Sequence, residues 1–213
     1  MAAADRLVWI DCEMTGLDLG IDELVEVAAV VTDFDLKPLD PGFDIVIKPS
    51  DAALAQMGDV VRTMHTASGL LEELEHGVSL AEAETRVLEY LQRFTSAGSA
   101  PIAGNTIGTD RSFLVRWMPQ VDAHLHYRSI DVSSIKELVK RWFPRVYYNA
   151  PAKHGGHRAL ADILESIREL DYYRRAAFVQ EPGPTSEQAQ SAAAQVVEAF
   201  AQHGATGSAP AVQ

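Results

Sequence analysis

Leu7-Val8-Trp9-Ile10-Asp11-Cys12-Glu13, continuing into Met14-Thr15-Gly16-Leu17, is the stretch on which the fold turns. Four consecutive apolar residues closed downstream by a glycine turn read as a buried strand. Side chains two apart on a strand project from one face, so Asp11 and Glu13 point the same way and Cys12 the other. Two carboxylates side by side at the end of an apolar strand repel each other, and partial burial raises the cost unless a cation or proton compensates. A hard divalent ion is the natural compensation. The strand is therefore expected to end at a cation site, with Cys12 turned into the core as a small apolar residue.

Working outward, residues 7–13, 24–32 and 43–48 are rich in Val and Ile and separated by Gly, Asp and Pro turn signals, which predicts an antiparallel meander of three strands. Ser79 with Glu82 forms a capping box, and Ala83, Val87, Leu88, Leu91 and Phe94 recur at helical spacing, so a helix follows with one face on the sheet. Residues 101–104 form a short strand, and a helix runs over 110–117 until Pro119 stops it, with Asp110 in its first turn. Residues 126–131 form another strand, and Ser134 with Glu137 suits a second capping box, opening a helix to Trp142 ahead of Pro144. The last long helix follows Gly155-Gly156, carries Leu160, Ile163, Leu164, Ile167 and Leu170 at its apolar positions, and ends near Phe178. His157 and Asp162 stand about 140° apart around an ideal helix, so both face one site only if His157 lies in the loop or first turn. The two glycines allow that loop. A meander followed by strand–helix units predicts an α/β fold, a mixed sheet of antiparallel and parallel strands flanked by helices on both faces.

The chain has 213 residues, which suits one catalytic domain over residues 1–180 and a remainder. From residue 181 to 213 Pro, Gly, Ser, Ala and Gln dominate, with three Glu and no Lys or Arg, so a disordered low-complexity tail is expected, with a transient helix over 192–202. Eighteen Lys and Arg against 30 Asp and Glu give a net charge of −12, which opposes non-specific binding to a long polyanion. A nucleic-acid ligand should therefore be short, its few phosphates met by bound metal and a local patch drawn from Arg111, Arg116, Arg128, Lys136, Lys140 and Arg141. Taken alone, the lysines read as a solvated helix face. One cysteine excludes an intrachain disulfide and a cysteine zinc cluster, which points to a reducing compartment. With neither a signal-peptide run at residues 1–6 nor any segment of membrane-spanning length, a soluble cytoplasmic protein is expected.

A lone Asp-x-Glu or His-x4-Asp carries little weight, since either can sit on a solvated surface or cap a helix. Their order does. Asp11-Cys12-Glu13-Met14-Thr15-Gly16-Leu17, then Asn105-Thr106-Ile107-Gly108-Thr109-Asp110, then His157-Arg158-Ala159-Leu160-Ala161-Asp162 resemble the three motifs of the DEDDh exonucleases. His65-Thr66-Ala67-Ser68-Gly69-Leu70, His126-Tyr127-Arg128 and Asp131-Val132-Ser133-Ser134 extend the resemblance over residues 6–178, toward the branch that acts on very short RNA. It implies a ribonuclease H-like fold, a homodimer, and removal of nucleotides from the 3′ end of short RNAs down to dinucleotides. It also implies two divalent ions, Mg²⁺ or Mn²⁺, one held by Asp11, Glu13 and Asp162 and the other by Asp11 with support from Asp110. Two such ions about 4 Å apart can flank a scissile phosphate. His157 is implied as general base, a role suited to a side chain whose ordinary pKa lies near 6.5.

The same resemblance assigns the substrate contacts. Leu17 taken alone reads as a core residue, and the resemblance makes it a wedge against a base. Tyr127 stacks on a base and Arg128 grips a terminal phosphate, both supplied by the opposite subunit. Thr106, Ser133 and Ser134 offer hydroxyls to that phosphate, although Ser134 equally suits a helix cap. His65 is expected to approach the substrate. Where relatives often carry a tryptophan ahead of the His65 segment, this chain has Asp59-Val60-Val61, so an aromatic surface is missing there. Two other readings remain at this point: a general single-strand exonuclease of the same fold, and a non-catalytic RNA-binding dimer.

Overall fold

The computed structural model describes residues 6–152 and 156–205. Strand β1 (Leu7–Met14) pairs antiparallel with β2 (Leu24–Thr32), and β2 antiparallel with β3 (Phe43–Val46). On its other edge β1 pairs in parallel with β4 (Pro101–Gly104), and β4 in parallel with β5 (His126–Asp131). The sheet order is β3-β2-β1-β4-β5, the mixed sheet expected from the meander and the strand–helix units that follow it. All nine residues of β2 are buried, as a continuous apolar run demands.

Three short helices link β3 to the rest: α1 (Asp51–Gln56), α2 (Asp59–Ala67) and α3 (Leu70–Glu73). Then come α4 (Leu80–Gln92), capped by Ser79 as its sequence signals, α5 (Ile107–Trp117) and α6 (Pro119–His124). After β5 follow α7 (Val132–Trp142), α8 (Pro144–Tyr148), α9 (Ala159–Ala176) and α10 (Ser186–Ala205). Val8, Ile10 and Cys12 of β1 pack in one core with Ala83, Val87 and Leu91 of α4, Phe113 and Leu114 of α5 and Val121 of α6. Each fully buried Val, Leu, Ile or Phe there contributes roughly 1.5–3 kcal/mol. The alternate face of β1, with Trp9, Asp11 and Glu13, meets α9, which lies against β1 and β2. That division by alternation separates an apolar core from an acidic face with a single strand.

Several boundaries differ from the sequence reading, among them the start of α5, which lies at Ile107 rather than at Asp110. β3 ends at Val46: the Ile47 amide still donates to the Val25 carbonyl of β2 at 2.8 Å, but Ile47 already bridges in parallel to Val78. α7 starts at Val132, with Asp131 rather than Ser134 as its N-cap: the extended Asp131 accepts from the Ser133 amide at 3.1 Å, while Ser134 is already helical. Residues Ser186–Ala205, within the stretch where composition suggests disorder, form α10, consistent with the high helix propensity of Ala, Gln and Glu. The chain divides into two compact units, Met1–Ala176 and Ala177–Gln213. Among the described residues no helix is long and apolar enough to cross a membrane.

Candidate active site

The acidic face of β1 ends where α9 delivers a third carboxylate. Asp11, Glu13 and Asp162 each present one ligand atom, and these atoms lie within 4.8 Å of one another. Asp110, in the first turn of α5, stands beside the trio, its Oδ1 accepting from the Cys12 amide at 3.0 Å. A carboxylate crossing from α5 to the backbone of β1 ties the helix to the strand that carries two of the trio. Burial is the main reason these groups hold their protons, and mutual repulsion adds to it. Asp11 is pushed up to about 9 by burial and then by Asp110, Glu13 and Asp162. Glu13 is pushed up to about 8 by burial, Glu26 and Asp162, against a smaller lowering from Arg158. Asp110 is raised to about 7 by burial, offset in part by the amide bonds it accepts. A set of hard oxygens that cannot all ionise without a counter-charge fits a divalent cation.

His157 precedes α9 in the loop the helical geometry requires, exposed and at φ +48°. The residues after it are anchored. Arg158 pairs with Glu26 at 2.9 Å and with Glu73 at 2.8 Å, and the Ala159 amide donates to Glu26 Oε2 at 3.1 Å. Residues 153–155, including the first of the two loop glycines, lie outside the described residues.

The expected substrate residues fall into distinct places. Leu17 is 75% exposed on the turn after β1. Thr15 Oγ1 donates to Asp22 Oδ1 at 2.8 Å, the Asp18 amide donates to Asp22 Oδ2 at 2.8 Å, and Trp117 Nε1 donates to the Asp22 carbonyl at 3.1 Å. His65 is fully buried: its Nε2 donates to the Met14 carbonyl at 2.9 Å, and its Nδ1, with no hydrogen-bond partner, lies 3.9 Å from Glu13 Oε2. It stands behind Glu13 instead of lining an open surface. Thr106 and Ser133 bring their hydroxyls within 3.1 Å of each other, and Ser134 Oγ donates to Asp131 Oδ2 at 2.7 Å. Tyr127 is 74% exposed, with the Arg128 guanidinium over its ring and Nε donating to its hydroxyl at 3.1 Å. Val60, where an aromatic residue was missed, is exposed on α2.

The supposed local basic patch does not assemble from all six cations. Arg111 is held by Asp122, the Tyr127 carbonyl and Ser129, Lys136 by Glu169, and Arg141 by Glu137. Sequence reasoning also passed over Glu26, Asp22, Asp131 and Arg158. Glu26 had a signal: it is a lone charge inside the apolar run of β2, and a charge buried in a strand needs a specific partner.

A mixed sheet in this order, with acidic residues gathered at the end of β1, is the architecture of a metal-dependent exonuclease domain. A family model described as Exonuclease matches residues 8–170. Among solved structures, the zinc-bound complex of E. coli exonuclease I with single-stranded DNA superposes with a TM-score of 0.64 at 15% identity, covering 81% of this chain and 41% of that one. Exonuclease I from Methylocaldum szegediense gives 0.59 at 19% identity, again with 81% and 41% coverage. The chain thus spans about two fifths of those proteins, and the likeness speaks for the fold. The oligoribonuclease of Leifsonia xyli is 71% identical over 197 residues, covering 92% of this chain and 95% of its own. That of Streptomyces griseus is 60% identical over 193 residues, covering 90% and 96%. The chain belongs to the oligoribonuclease family of the DEDD exonuclease superfamily, and is a metal-dependent 3′-to-5′ exoribonuclease.

Proposed function

We propose that this enzyme hydrolyses short oligoribonucleotides, dinucleotides above all, to nucleoside 5′-monophosphates, acting as a cytoplasmic homodimer with two Mg²⁺ or Mn²⁺ ions per site and His157 as general base. The observation that carries the reading is the trio of Asp11, Glu13 and Asp162 sharing one small volume, with Asp11 and Glu13 raised in proton affinity by burial and by their acidic neighbours. Asp11, Glu13 and Asp162 would hold one ion, and Asp11 with Asp110 the other. Such ions, when bound, polarise the attacking and departing oxygens of a phosphodiester. His157 accepts the proton of the attacking water from its exposed place beside α9. Leu17 separates the bases, and His65, buried behind Glu13, sets that carboxylate without reaching the substrate itself. Thr106, Ser133 and Ser134 turn their hydroxyls from internal acceptors to the oxygens of the terminal phosphate.

Strand register supports the assignment of Tyr127 and Arg128 to the opposite subunit. Trp9 pairs with Ala103, which pairs with Ile130. Asp11 lies two residues beyond that level and Arg128 two residues short of it, an offset of about 13 Å along the strands and about 10 Å across them. Each chain's clamp therefore sits far from its own acidic trio. Exposed Leu138 and Trp142 on α7, Tyr148 on α8 and Phe143 between them provide apolar surface of the kind a subunit interface covers.

The test is turnover of a 5′-phosphorylated RNA dinucleotide, a seven-nucleotide RNA and the matching DNA, with and without chelator. Metal-dependent cleavage fastest on the RNA dinucleotide is expected. Equal rates on dinucleotide and longer RNA would favour a general exonuclease, and no turnover with metal present would favour a binding protein.

A further inference from the structure

Glu26 is 1% exposed and sits directly across the β1–β2 ladder from Glu13, on the face that carries the acidic trio. Another carboxylate beside that trio adds repulsion, so its presence demands compensation from elsewhere. Arg158 supplies it, with Nε donating to Glu26 Oε1 at 3.0 Å and Nη2 pairing with the same oxygen at 2.9 Å. The Ala159 amide, at the open start of α9, donates to Glu26 Oε2 at 3.1 Å. One carboxylate thereby serves as ion-pair partner and helix cap for the two residues that follow His157. Glu73 of α3 closes the outer side of the same guanidinium through bonds of 2.8 and 3.1 Å. His157 itself has φ +48°, a conformation that a non-glycine residue keeps only where its surroundings hold it.

We infer that Glu26 is a positioning residue for His157: by gripping Arg158 and the Ala159 amide it sets the backbone from which the imidazole reaches the substrate. This rests on the reading of His157 as general base. Glu26 touches neither substrate nor attacking water, and its effect passes through the loop. A misplacement of about 1 Å in a catalytic group can cost on the order of 100-fold in rate.

The experiment uses the full chain with Mn²⁺ and a 5′-phosphorylated dinucleotide, and compares Glu26→Gln, Arg158→Lys and Glu73→Gln, each alone and in a His157→Ala background. Glu26→Gln keeps the shape and removes the charge that grips the fork. It should lower kcat by roughly 10- to 100-fold while KM and Mn²⁺ affinity stay within about threefold. Arg158→Lys, which keeps the charge and loses the fork, should lower kcat in the same way and stands in if Glu26→Gln folds poorly. Glu73→Gln should have the smaller effect. In the His157→Ala background Glu26→Gln and Arg158→Lys should cost less than about twofold more, because the residue they position is gone. Independent multiplication of the two losses would overturn the inference, as would a fall in Mn²⁺ affinity that matches the fall in kcat. Wild-type kcat for both Glu26→Gln and Arg158→Lys beside a slow His157→Ala would defeat the positioning role alone. Wild-type kcat for His157→Ala would defeat the base reading and the inference together.

Discussion

In the folded, metal-free chain the Asp11 carboxyl is pushed up to about 9 by burial and its acidic neighbours, whereas an ordinary aspartate is half-ionised near pH 4. A carboxyl with a folded pKa raised above its unfolded value gives stability that is fully present below the unfolded pKa and is lost as pH rises through the folded one. Glu13, raised to about 8, acts in the same direction. With chelator present, the melting temperature should therefore fall between about pH 4 and pH 9, and more steeply for the wild type than for Asp11→Asn, which lacks the titrating group. Saturating Mn²⁺ or Mg²⁺ should raise the wild-type melting temperature most at high pH, since metal binding must displace those protons. Asp11→Asn should lose turnover while gaining metal-free stability at pH 8. Melting curves over that range check the prediction, and identical pH slopes for the two chains would contradict it.

At the scale of an element, the turn between β1 and β2 is built around Asp22, which is 7% exposed. Its carboxylate accepts from Thr15 and Asp18, the Gln56 side chain holds the Ile21 carbonyl at 2.7 Å, and Trp117 holds the Asp22 carbonyl. Gly16 passes so close that an added Cβ would lie 2.4 Å from Asp22 Oδ2. Leu17 is thus presented from a turn fixed on three sides, as a wedge must be if it is to hold neighbouring bases apart without folding back. Asp22→Ala strands buried donors and should cost about 1–3 kcal/mol of stability. Gly16→Ala, which displaces the Asp22 carboxylate, should raise KM for a dinucleotide by roughly tenfold, the equivalent of about 1.4 kcal/mol of lost positioning, with Mn²⁺ affinity retained. Urea unfolding and steady-state kinetics measure the two effects. An unchanged KM in Gly16→Ala would mean that Leu17 does not need this turn.

For the whole molecule, the offset between clamp and acidic trio turns subunit pairing into a kinetic question. Mixed dimers of Arg128→Ala with Asp11→Asn chains have one site lacking both groups and one site intact if the clamp acts across subunits. They should then recover about half of wild-type activity, and little if the clamp acts within a chain. The second compact unit invites a simpler test. Its α10 is rich in Ala and Gln and leaves Val196, Val197 and Phe200 exposed. Truncation after Gln180 should leave folding, dimerisation and dinucleotide cleavage intact, read by melting temperature, sedimentation and turnover. A monomeric truncated chain would show that α10 contributes to assembly.

Local rules made much of this protein legible before any coordinates. The period of two along β1 determined that Asp11 and Glu13 share a face and that Cys12 enters the core, because strand alternation is a property of the backbone alone. The Ser79 cap, the placement of Asp110 in a first turn and the need for His157 to precede its helix follow from spacing in the same way. The short helices α1 to α3 escaped notice because four to nine residues hold too little periodicity to read. Tertiary structure decided which polar groups meet. Asp131 took the cap that Ser134 also suited because a strand end placed it there, and His65 went behind Glu13 because its ring on α2 bonds the Met14 carbonyl at the end of β1. Arg158 found Glu26 across 132 residues of chain. Such pairings depend on the order in which strands and helices stack, and no local pattern of residue types encodes them; a buried charge in the sequence announces only that a partner must exist.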